Sequence, residues 1–82
     1  MTKKETLVGA SVQRMRTAPN MTRNMRVYID AVAHLDDVRT DENRLKPGWA
    51  EIEKNLMAVN DRRWKALTKE EQDALVRADR LV

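Results

Sequence analysis

The sequence predicts an all-α protein, and three observations carry that expectation. Among 82 residues there are two Gly, two Pro, no Phe and one Tyr, so chain breakers and aromatic strand formers are scarce while Ala, Leu, Met, Lys, Arg and Glu are common. Apolar residues recur at three- and four-residue steps along two long stretches. Between the last two segments stands Thr68-Lys-Glu-Glu71, which reads as a helix start. The expected architecture is a small three-helix domain over residues 20–82, preceded by a basic N-terminal arm or short extra helix over residues 1–19.

The arm carries Leu7, Val8, Ala10, Val12 and Met15, enough for one short amphipathic helix or for a segment that orders on binding, and Pro19 closes it. From Thr22 to about Val38, Met21, Met25, Tyr28, Ile29, Val32 and Leu35 fall on one face and predict the first long helix. Residues 39–46 lack such a stripe and read as a polar connection. Pro47-Gly48 then marks a boundary, with Pro able to occupy a first helical turn. The second long helix, to about Ala66, carries Trp49, Ile52, Leu56 and Val59, flanked by Ala50, Met57 and Trp64. Its apolar face is broad. At Thr68 the hydroxyl can accept from the Glu71 amide while the Glu71 carboxylate reaches back to the amide of Thr68, a capping box that opens a third helix presenting Ala74, Leu75, Ala78, Leu81 and Val82.

Charge is distributed unevenly. The first 28 residues hold six Lys or Arg and one Glu, a local charge of +5, which leaves −2 for the remainder of a chain whose net charge is +3. Such asymmetry points to an anionic partner. Lys3, Lys4, Arg14, Arg16, Arg23 and Arg26, with Arg62, Arg63 and Lys65 further on, are the candidates for contacting nucleic-acid phosphates or an acidic protein surface. The first long helix also inverts the dipole rule. Arg23 and Arg26 stand at its positive end and Asp36 and Asp37 at its negative end, whereas the second helix places Glu51 and Glu53 early and Arg62, Arg63 and Lys65 late. An Arg26 to Asp30 pair at i,i+4 would relieve part of that inversion.

Nothing in the chain predicts catalysis. Gly9 and Gly48 are too far apart for a phosphate-cradling loop, there is no Cys, and no Ser and His stand at a recognisable spacing. Asp30, His34 and Asp37 share a helical face, but it lies opposite the apolar stripe, where charged groups are solvated. The chain is expected to need no metal, cofactor or small-molecule substrate. No stretch approaches the roughly 20 apolar residues of a membrane span, and the first residues do not read as a signal peptide. Together with the absence of Cys this predicts a soluble protein of the cytoplasm, or of a host cell's cytoplasm if viral, rather than a secreted one.

Around Arg63-Trp-Lys-Ala-Leu-Thr-Lys-Glu-Glu-Gln72 the sequence resembles the joint between the second and third helices of the high-mobility-group box. Trp49 with Glu51-Ile52 is similar to that family's opening of the second helix, and Pro19-Asn20 to its extended N-terminal strand. The resemblance spans roughly residues 19–78. It implies an L-shaped three-helix module that bends DNA from the minor groove, with Met25 or Tyr28 as the apolar wedge.

Two functions follow as expectations. The first is a non-enzymatic helical protein whose basic face engages nucleic-acid backbone with little sequence specificity; five phosphate contacts give a log–log salt slope of about −4.5 on duplex DNA. The alternative is a protein-binding module, such as a small inhibitor, adaptor or assembly component of the kind viruses and mobile elements encode. It would dock through Trp49, Ile52, Leu56 and Trp64 into a partner groove or pair with its own copy.

Overall fold

The computed structural model describes residues 10–80, and among them the regular structure is helical throughout. Five helical segments follow one another: α1 over residues 10–15, α2 over Arg23–Val38, α3 over Asp41–Arg44, α4 over Trp49–Lys65 and α5 over Lys69–Arg80. The two long helices and the last one stand within a residue or two of their expected limits. Helix α1 falls where a short extra helix was one of the two expectations, and α3 is the addition to the three-helix arrangement.

Local chemistry explains each boundary. At the end of α1 the bonds tighten from Arg16 N–H to the Val12 carbonyl (3.0 Å) to the i→i−3 pairs Thr17 to Arg14 and Ala18 to Met15 (3.0 and 3.1 Å). Asn20, after Pro19, then takes a left-handed φ of 56°, a conformation Asn tolerates better than most residues. Pro19-Asn20 thus forms a turn, not the extended strand that the family resemblance implied. Thr22 caps α2: its hydroxyl accepts from the Met25 amide at 3.2 Å, and the Met25 sulfur accepts from the Thr22 amide.

The connection after α2 is more ordered than its polarity suggested. Thr40 accepts from the Asn43 amide at 3.0 Å and starts the single turn of α3, while the Asn43 side-chain amide donates to the Val38 carbonyl at 2.8 Å. Pro47 lies outside α4, correcting its expected place in the first turn. The Trp49 amide bonds the Lys46 carbonyl at 3.2 Å across a turn with Pro47 second and Gly48 third at φ 80°, ψ 1°, the type II pattern that demands glycine there. At the last joint the expected capping box is present: Thr68 N–H donates to Glu71 Oε1 at 2.8 Å and Glu71 N–H to Thr68 Oγ1 at 3.1 Å.

The helices assemble around a small core. Val12, Met15 and Ala18 from the N-terminal segment join Met25 and Ile29 of α2, Leu67 of the α4–α5 joint, and Leu75 and Ala78 of α5. The second half of the expected arm is therefore part of the folded core rather than an appendage. Its hold on α5 is also polar, because the Ser11 hydroxyl and the Arg14 guanidinium both donate to the Asp79 carboxylate, at 2.7 and 3.0 Å, and Arg14 Nε donates to the Asp79 carbonyl. Helices α2 and α4 pack antiparallel. Tyr28 meets Trp64 with ring centroids 5.1 Å apart at one end, and Arg39 pairs with Glu53 at 2.9 Å at the other.

Candidate functional site

Helix α4 is where the sequence and its packing disagree most. It is 17 residues long with a broad apolar face, yet among the described residues it contributes no buried side chain. Geometry gives the reason. Five of the six half-buried positions, Trp49, Glu53, Leu56, Asn60 and Trp64, span about 80° of the helix surface at 100° per residue and turn toward α2, while the sixth, Val59, lies on the Ile52 side of that sector. The apolar residues on either side of it stay uncovered: Ile52 and Met57 are each 51% exposed. The molecule is 17 Å across its shortest dimension, too thin for a further helix about 10 Å in diameter beyond two packed layers.

On the Ile52 shoulder the surface has relief. Val59, Arg62, Arg63 and Ala66 line an open depression of about 240 Å³. Arg62 and Arg63 are exposed and make no ion pair among the described residues, so the apolar floor has a cationic rim. Lys65 is instead held by Asp61 at 2.9 Å.

The expected cationic surface is divided by the fold. Arg14 is committed to Asp79, and Arg16 to Asp30 at 3.2 Å. Asp30 thus takes Arg16 as its partner in place of the expected Arg26. Arg23 and Arg26 remain exposed on the first turn of α2, beside the end of α4 that carries Arg62 and Arg63. Lys3 and Lys4 lie outside the described residues, as do Leu7, Val8, Leu81 and Val82.

The expected aromatic and apolar contacts also separate. Trp64 packs on the core and against Tyr28, so its ring is no free platform. Trp49, half-buried, stands at the opposite end of α4 from that contact. Of the two suggested wedges, Met25 is 1% exposed at the centre of the core and cannot enter a groove without unfolding it, and Tyr28 is half-buried against Trp64. Leu56 is half-buried at the edge of the sector that α2 covers. Among the described residues no three His, Asp or Glu gather where they could hold a metal, and no helix is long and apolar enough to cross a membrane.

Two carboxylates have shifted acidities. Hydrogen bonds from the Thr22 hydroxyl and the Thr68 amide hold Glu71 below its ordinary value; the bond from Ser11, with the Arg14 guanidinium, does the same for Asp79. Both are structural joints. Tyr28 is raised by burial and by the nearby Asp79 charge, and Asp36 by burial against the opposing pull of Arg39.

Fold and site together define a small all-helical protein with one long helix left half uncovered. Comparisons with protein-family models, with curated proteins and with solved structures found no match to this chain.

Proposed function

We propose that this chain is a non-enzymatic helical binding module that seats an amphipathic helix of another polypeptide on the uncovered shoulder of α4. The observation that supports the reading is a 17-residue helix with no buried side chain and with Ile52, on that shoulder, 51% exposed. Burying apolar surface is the main source of binding free energy, about 25 cal/mol per Å², and a face of this kind fits the helix-in-groove mode. Arg62 and Arg63 on its rim favour a partner helix with an acidic flank, which steers encounter and selects register.

Substituting Ile52→Glu tests this, because the side chain is exposed and the core does not use it. The variant is expected to keep its helical circular dichroism and melting temperature while losing capture of the partner from host lysate. Unchanged capture would contradict the reading.

The nucleic-acid reading keeps one observation in its favour: Arg23, Arg26, Arg62 and Arg63 make no ion pair among the described residues and stand at one end of the α2–α4 pair. With Arg14 and Arg16 occupied by carboxylates, four contacts give a salt slope of about −3.6 on duplex DNA. Anisotropy titration of duplex and single-stranded oligonucleotides at several salt concentrations measures it. Absence of binding at low salt would eliminate this second reading.

A further inference from the structure

We infer that the helix received by α4 is α4 of a second copy of this chain, paired antiparallel about a two-fold axis near the middle of the helix. This rests on the reading of the α4 shoulder as a docking face and names its occupant.

The depression itself has the pattern of a coiled-coil socket. Val59, Arg62, Arg63 and Ala66 are positions i, i+3, i+4 and i+7, the four residues that form a hole for one knob of a facing helix. The knob is on the same surface of the same helix. At about 100° per residue Val59, Arg63 and Ala66 all fall within about 40° of Ile52, and Ile52 is 51% exposed. Residue 57 is the midpoint of Trp49–Lys65. In an antiparallel pair centred there, Ile52 faces position 62 of the other copy, the middle of the socket. A two-fold axis makes the match reciprocal, so two knobs fill two sockets.

Charge supports the same register. Glu51 and Arg62 lie on one flank of the strip, within about 20° of each other around the helix, and both are exposed. Antiparallel pairing brings Glu51 of one copy beside the partner's Arg62 at both ends of the interface. Within one chain the two are 11 residues apart, about 16 Å along the axis, and cannot pair. A parallel arrangement would set Ile52 against Ile52 and leave each socket empty. It would also oppose Arg62 and Arg63 to their own copies, which like-charge repulsion disfavours. The α4 pair is about 25 Å long, at the small end of specific interfaces, so monomer and dimer exchange with concentration.

Sedimentation equilibrium of the full chain from micromolar to sub-millimolar concentration tests the pairing. The mass is expected to rise from one chain to two. E51R alone and R62E alone each weaken dimerisation about tenfold or more, since the contact occurs twice, and the E51R/R62E double variant restores it. A chain monomeric throughout, or a dimer indifferent to both reversals, or one that the double variant does not restore, overturns the pairing. Circular dichroism melts verify that each variant is folded. If the chain is monomeric but Ile52→Glu still abolishes capture of a different protein, the second copy is wrong and the docking face stands. A monomer whose capture is indifferent to Ile52→Glu overturns both.

Discussion

Glu71 shows at the scale of one residue how this small core is closed. Its carboxylate completes the cap of α5 through the Thr68 amide and also accepts from the Thr22 hydroxyl, 49 residues away in sequence, which itself caps α2, so one side chain ties two helix starts together. Asp79 performs the matching task between α1 and α5. Because both carboxyls have folded-state pKa values below their unfolded ones, both contribute stability that is present above the unfolded values of 4.5 and 3.8 and is lost as pH falls through the folded ones. Asp36 runs the other way. Burial raises it, so acid relieves that penalty and offsets part of the loss. The melting temperature is expected to hold from neutrality to about pH 5 and to fall below it. Glu71→Gln is expected to lower the neutral plateau and flatten the acid limb, as read by thermal melts across pH; an acid limb unchanged in the variant would refute the role. The Thr68-to-Glu71 half of this device was legible in the sequence because it is local. The Thr22 contact was not, since it depends on how α5 is laid across the start of α2.

Among the elements, the most legible were those with a periodic stripe between local stop signals, which is why α2, α4 and α5 stand where the spacing puts them. Segment α3 was missed although Thr40, an N-cap residue, offered a signal; its four residues carry no stripe to read. Pro47-Gly48 was recognised as a boundary, but Pro at a first helical turn and Pro in a type II turn share the same dipeptide, and only the left-handed Gly48 separates them. The inverted charges of α2 persist in the folded protein: its first turn has no acidic residue and its last no basic one. Asp37 is exposed at that unfavourable end. Asp37→Lys is expected to stabilise the protein by about 0.3 to 1 kcal/mol at low salt, less at high salt, as measured by urea denaturation. No gain at low salt would mean that the end charges are already compensated.

For the whole molecule the governing fact is how little of it is buried. Val12, Met15, Ala18, Met25, Ile29, Leu67, Leu75 and Ala78 form the core, and chains of this size are marginal without a staple or a partner. Periodicity could show that α4 has a broad apolar face. It could not show that α2 covers only the middle of it, because coverage is a property of the assembled layers. The same holds for the basic residues: their number is written in the chain, but the withdrawal of Arg14 and Arg16 into ion pairs appears only once α1 docks on α5 and the turn at Pro19-Asn20 returns the chain along α2. A thin two-layer protein leaves both shoulders of α4 uncovered, with Ile52 exposed on one and Met57 on the other. Pairing of the Ile52 shoulder would add apolar burial where the single chain lacks it, so stability should rise with protein concentration.

The most direct measurement is a dilution series of the isotopically labelled full chain followed by amide chemical shifts. Amides of Glu51, Ile52, Val59, Arg62, Arg63 and Ala66 are expected to move with concentration while those of Ile29 and Leu75 in the core stay fixed. Shifts centred on Arg23 and Arg26, or no concentration dependence anywhere along α4, would contradict the claim that this helix face is where a second copy binds.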